Sequence, residues 1–203
     1  MSIIRVLSKT YPEPKSELNF SNEYELLVAV VLSAQCTDKK VNEVTPSLFK
    51  SFPDPLSLSK ANLSEIEEIV RPINYYKTKA KNLLGLGKML AIEFNGNVPR
   101  SFEMIRKLPG VGQKTANVVL GELGAAKTFP VDTHVFRVSK RLGFATAKTR
   151  EKVEEELKKR FDKRLWRKLH HWLILHGRRV CKAQKPLCNE CSLSKNCPSF
   201  PIP

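Results

Sequence analysis

Two helical stretches, residues 101–107 and 113–123, are joined by only five residues, Leu108-Pro109-Gly110-Val111-Gly112. Glycine adopts backbone dihedrals that a Cβ forbids, so two glycines two positions apart let the chain reverse tightly between helices. The same residues leave several N–H groups uncovered where the second helix begins. Uncovered donors at the positive end of a helix dipole make a site for a phosphate. An ordinary helix–turn–helix connection would explain the turn alone. The lysine just after it, Lys114, and the charge of the whole chain favour phosphate binding through the backbone of Gly110, Val111 and Gly112.

That charge is large: 35 lysines and arginines against 20 acidic residues, or 35 − 20 = +15. The basic residues are spread along the chain, Lys39 and Lys195 among them, rather than forming a tail, which favours a polyanionic partner held by counterion release. The rest of the chain reads as all-α. Residues 23–35 form an apolar helix, and Ser64 with Glu67 form a capping box ahead of another. Residues 77–94 are helical and end near Gly96 and Pro99. Residues 132–142 follow, then a long amphipathic stretch over 150–176. The longest apolar run is residues 26–32, too short to span a bilayer. The N-terminus has no apolar leader, so a cytoplasmic protein is expected.

Four of the five cysteines, Cys181, Cys188, Cys191 and Cys197, fall within the last 23 residues. Clustered thiols in a reducing compartment bind metal more often than they form disulfides. Their number suits either tetrahedral zinc or a 4Fe–4S cluster, and a single Cys-x-x-Cys pair weakly disfavours zinc.

Taken together, these segments resemble the endonuclease III family of DNA glycosylase/AP lyases. The hairpin L-P-G-V-G-x-K-T-A is similar to that family's helix-hairpin-helix, and the segment V-D-T-H-V-x-R around Asp132 is similar to its catalytic aspartate segment. The resemblance implies that Lys114 attacks the deoxyribose C1′, expels the base and forms a Schiff base that decays by β-elimination. Removing a proton from a lysine ammonium at pH 7 costs roughly 4 to 5 kcal/mol, and an exposed helix N-terminus offsets only about 0.3 to 1 kcal/mol. Closure on DNA, or proton transfer during the reaction, has to supply the rest. Read alone, Asp132 is a helix N-cap. By resemblance it stabilises positive charge developing at C1′. His134 reads as either structural or DNA-facing.

A glycosylase extrudes its target nucleotide and fills the gap. L-S-A-Q-x-T-D at residues 32–38 resembles the family segment whose glutamine, here Gln35, enters the duplex, with Asp38 near the damaged base. The family's second wedge follows a glycine. Here the run is Asn74-Tyr75-Tyr76-Lys77, so Asn74 is expected to take the left-handed turn and Tyr75 to stack on bases. The Cys-x6-Cys-x2-Cys-x5-Cys spacing matches the family's 4Fe–4S loop, in which Lys182 and Lys185 meet phosphates. Cys36 is read as a small packing residue.

The implied fold is a two-domain helix-hairpin-helix glycosylase. A six-helix barrel covers 17–126, with the hairpin at about 101–124, and residues 1–16 join 127–203 in the cluster domain. The implied partner is double-stranded DNA containing oxidised pyrimidines or abasic sites, bound by a monomer. Three alternatives remain: an adenine mismatch glycosylase, a thymine mismatch glycosylase and a non-catalytic helix-hairpin-helix module. The adenine-specific branch typically lacks the hairpin lysine and carries a further recognition domain, for which the six residues after Cys197 leave no room. The module does not account for Asp132.

Overall fold

The structure is a computed structural model and describes residues 2–125 and 129–201. Among the described residues it contains helices and no strands. In chain order these are α1 (Ile3–Thr10), α2 (Glu23–Ser33), α3 (Asp38–Ser51), α4 (Pro55–Ser59), α5 (Leu63–Val70), α6 (Tyr76–Glu93), α7 (Phe102–Ile105), α8 (Gln113–Glu122), α9 (Thr133–Arg141), α10 (Arg150–Arg160) and α11 (Trp166–Arg179). Short 3-10 turns occur at Lys163–Leu165, Cys188–Glu190 and Ser194–Asn196. The chain divides into two compact units, residues 17–126 and residues 1–16 with 127–203. The domain boundary expected at 126/127 lies outside the described residues.

In the unit 17–126, α2 is the central helix. Tyr24 and all residues from 26 to 32 are buried. A helix that is apolar on every face has to be covered on every face, and α3, α6 and α8 pack against it. Each buried leucine or valine contributes about 1.5 to 3 kcal/mol relative to exposure. The Asn22 side chain opens α2 by accepting the Glu25 N–H at 2.9 Å. Gly87 of α6 allows α4 to lie directly on it, since a Cβ there would stand 2.9 Å from Leu58 Cγ.

Three local expectations are corrected in this unit. The helix after Ala61 is capped by Asn62 and Glu65, not by Ser64 and Glu67: the Glu65 carboxylate accepts the Asn62 N–H at 3.3 Å, and Ser64 lies inside α5. Both frames fit the pattern. Full burial of Ile66 selects the earlier one. The first hairpin helix is shorter than 101–107, because beyond Ile105 the chain tightens into i−3 bonds from Lys107 N–H to Met104 O and from Leu108 N–H to Ile105 O. Leu108 precedes Pro109, and a residue before proline is disfavoured in the α region. The left-handed residue ahead of α6 is Tyr75, with φ +59°, rather than Asn74. The Asn74 amide is instead engaged in a bond to the Gln35 loop, described below.

In the second unit, α9 packs on α11, and α1 joins α11 from the N-terminus. Trp172 Nε1–H donates to Tyr11 O at 2.8 Å, tying the end of α1 to α11. The amphipathic stretch over 150–176 is not continuous. It breaks at Phe161, which is extended, and Asp162, whose carboxylate accepts the Arg164 N–H at 2.8 Å. Aspartate competes for nearby backbone N–H groups and so favours a cap over a helix interior. The Phe161 ring meets Phe144 edge-on at 4.9 Å, and its carbonyl accepts Trp166 Nε1–H at 2.8 Å, which holds the break in place.

Candidate nucleic-acid interface and catalytic groups

At the hairpin, only one of the two glycines is required by its backbone. Gly110 has φ +79°, and a Cβ there would stand 3.1 Å from Asn82 and 3.2 Å from Val31 Cγ1. Gly112 has φ −81° and open space around its Cβ position. Val111 turns its side chain into the core, where it is 6% exposed, and its N–H donates to Leu108 O at 3.1 Å. The accessible tip is therefore formed by Gly110 and Gly112. Gly112 is the N-cap of α8 and offers no side chain, so the first N–H groups of α8 have no intrahelical acceptor. Lys114 is the second residue of α8 and is exposed. The arrangement can hold an anion at the helix start with a primary amine in the same turn.

Asp132 caps α9: its Oδ1 accepts the Val135 N–H at 2.8 Å. The segment leading into that cap is anchored at two points. Phe129 N–H donates to the Glu154 carboxylate at 3.2 Å. His170 Nδ1 lies 2.9 Å from Pro130 O, so that nitrogen carries the proton and donates. His134 is packed where α9 meets α11, and a Cβ on Gly177 would stand 3.1 Å from its ring. Burial lowers the His134 pKa against the pull of Asp132. Arg137 Nη2 lies 3.2 Å from His134 Nδ1 and donates to Gly177 O at 3.0 Å and Cys181 O at 3.1 Å. These contacts favour the structural reading of His134.

One end of the cysteine segment rests on α9. Arg141 donates to Lys182 O at 2.6 Å and Ala183 O at 3.2 Å, and its Nη1 lies 3.4 Å from Cys181 Sγ. Lys182 and Lys185 are exposed on this loop, and Lys185 has φ +48°. All four thiols are free. Burial, and then the neighbouring sulfurs of Cys181, Cys188 and Cys197, push the Cys191 pKa up. The Leu193 N–H donates to Cys191 Sγ at 3.4 Å. His176 Nε2 lies 3.6 Å from the same sulfur, and Tyr11 OH lies 3.3 Å from His176 Nδ1. Among the described residues no three Cys, His, Asp or Glu side chains gather closely enough to hold a single metal ion.

Gln35 and Tyr75 belong to neighbouring loops of the unit 17–126, bridged by Asn74 Nδ2–H donating to Gln35 O at 2.7 Å. Both are exposed, Tyr75 at 67%. Asp38 opens α3 next to the Thr37 cap, and Cys36 packs against the core as expected. The sequence assigns no role to Lys79, Arg137 or Arg141, and gives Asn74 only the left-handed turn. For Lys79 a signal existed: it falls on the buried stripe of α6 formed by Leu83, Leu86 and Leu90.

An anion-binding hairpin with an amine at its helix start, on an all-α frame, defines a DNA-handling helix-hairpin-helix protein. Residues 28–163 match the HhH-GPD superfamily of base excision DNA repair proteins. Endonuclease III of Rickettsia conorii is 45% identical, covering 96% of this chain and 93% of that protein. Endonuclease III of Escherichia coli K12 is 41% identical, covering 97% and 93%. A trapped endonuclease III–DNA covalent intermediate, solved as an estranged-adenine complex, superposes with a TM-score of 0.87 at 44% identity, covering 96% and 92%. The chain belongs to the endonuclease III family. Among the described residues no helix is long and apolar enough to cross a membrane.

Proposed function

We propose that the chain is a bifunctional DNA glycosylase and AP lyase that removes oxidised pyrimidines from duplex DNA, with Lys114 as nucleophile and Asp132 as its carboxylate. The observation that carries this reading is the exposed Lys114 amine in the first, uncapped turn of α8, directly after the Gly110 turn. The uncovered N–H groups bind a phosphate of the damaged strand and bring the amine to the sugar. The unprotonated Nζ forms a bond to C1′ as the glycosidic C–N bond breaks, and the base departs with that electron pair and gains a proton. The new secondary ammonium loses a proton, the C1′–O4′ bond breaks with its electron pair going to O4′, which takes up a proton, and an iminium remains. Loss of a C2′ proton then expels the 3′ phosphate and cuts the strand. Asp132, held rigid by its cap bond, stabilises positive charge at C1′ and accepts a proton from the amine.

Cys181, Cys188, Cys191 and Cys197 would hold a 4Fe–4S cluster. Burial, and then the sulfurs of Cys181 and Cys188, raise the proton affinity of Cys191 and Cys197, so the four lie within electrostatic reach of one another, and their single Cys-x-x-Cys pair suits a 4Fe–4S cluster better than zinc. The donors already directed at sulfur, from Leu193 and Arg141, suit bound thiolates. Such a cluster serves structure here, pinning the loop that presents Lys182 and Lys185 to phosphates.

Borohydride reduction on DNA containing an oxidised pyrimidine tests the reading. The wild-type protein forms a covalent adduct and Lys114→Ala does not; an adduct with Lys114→Ala overturns the assignment. The purified protein is expected to be brown with absorbance near 400 nm.

A further inference from the structure

Gln35 and Tyr75 are both non-glycine residues in the left-handed region, with φ +55° and +59°. Such conformations persist only where the surroundings hold them. The side chain of Lys79 holds the first, and Asn74 couples the second to it. Lys79 is a charged residue only 6% exposed, and its Nζ donates to Leu32 O at 2.8 Å and to Ala34 O at 2.6 Å. Those carbonyls end α2 immediately before Gln35, and α2 carries no basic residue in its own last turn. Lys79 therefore supplies from α6 the cation that the end of α2 lacks. Its backbone N–H donates to Tyr75 O at 3.1 Å. Lys79 thus anchors the Gln35 loop from the first turn of the helix that Tyr75 opens, and the 2.7 Å bond from Asn74 to Gln35 O joins the two loops directly. A buried ammonium is a poor source of stability compared with an apolar side chain of equal size, but it can dictate one arrangement of its partners.

We infer that Lys79, assisted by Asn74, is a positioning residue that sets Gln35 and Tyr75 as one rigid two-pronged probe before DNA binds. This rests on the reading of the chain as a glycosylase that extrudes its target nucleotide. A pre-set probe matters most when the lesion is stacked and paired, because the prongs then replace the base that leaves the stack. It matters little when the lesion is already unpaired.

The test compares single-turnover excision of an oxidised pyrimidine in a fully paired duplex and in an unpaired bubble, for wild type, Lys79→Met, Asn74→Ala and Gln35→Ala. Lys79→Met is expected to lower the paired rate about tenfold to a hundredfold, the scale of a misplacement of about 1 Å, and to leave the bubble rate within a few-fold. Asn74→Ala, which removes an exposed amide, shifts the same ratio less and covers the case in which Lys79→Met fails to fold. Combining Lys79→Met with Gln35→Ala is expected to cost less than the product of the two single effects, since both act on one probe. Equal losses on both substrates, matching a reduced active fraction, would show a merely structural role and overturn the inference. An unchanged ratio in Lys79→Met, or in Asn74→Ala should the first variant not fold, with an active wild type overturns the inference alone. A wild type inactive on both substrates overturns it together with the glycosylase reading.

Discussion

The carboxylate of Asp132 accepts the Val135 backbone N–H at 2.8 Å, so the residue assigned to chemistry is also the N-cap of its helix. The two roles separate by substitution. Asparagine caps as well as aspartate, whereas alanine loses about 0.5 to 2 kcal/mol. Asp132→Asn is expected to melt near the wild-type temperature while losing about a hundredfold to a thousandfold in single-turnover rate, comparable to removal of one preorganised electrostatic group. Asp132→Ala is expected to lose both. Calorimetry beside single-turnover kinetics reads the two effects, and an active Asp132→Asn would leave Asp132 as a cap only.

The two hairpin glycines should respond to different extents. Gly110→Ala places a Cβ at φ +79° and 3.1 Å from Asn82, and costs about 1 to 2 kcal/mol or more. Gly112→Ala meets open space at an ordinary φ; the gain of about 0.4 to 1 kcal/mol from restricting the unfolded chain is offset by the poorer N-cap that alanine makes, so the net change is expected to stay within about 1 kcal/mol. Urea denaturation measures both. Equal destabilisation by the two variants would contradict the geometry.

His134 makes stability depend on pH with a definite sign. Burial holds its pKa below the ordinary histidine value, so the folded chain keeps it neutral where the unfolded chain takes up a proton. Stability is therefore retained above about pH 6.5, lost as the pH falls through the range below it, and level again once His134 is protonated in both states. His134→Gln should flatten that part of the melting-temperature profile between pH 7 and 5. A variant profile parallel to wild type would show that the burial of His134 carries no linkage.

Much of this was readable in the residues because it depends on near neighbours. The uninterrupted apolar run of α2 can only be a buried helix in an all-α chain, and Pro109 with Gly110 can only be a tight reversal. The register of α5 was not readable, because Asn62…Glu65 and Ser64…Glu67 satisfy the same capping pattern and only the burial of Ile66 chooses between them. The break at Asp162 is not legible for a related reason. Helical periodicity continues across it, and the contacts that stabilise it come from Phe144 and Trp166.

By itself the sequence determined the all-α class, the hairpin with Lys114 at its helix start, the Asp132 cap and the clustering of four thiols. Each is a short-range pattern whose physics acts within a turn or two of chain. Only the tertiary structure decided that Val111 faces the core, that Tyr75 rather than Asn74 takes the left-handed turn, and that Lys79 reaches carbonyls 45 and 47 residues away. A buried stripe on α6 shows that a lysine is enclosed. Which backbone acceptors justify its burial depends on the packing of α6 against α2, and no local pattern encodes that.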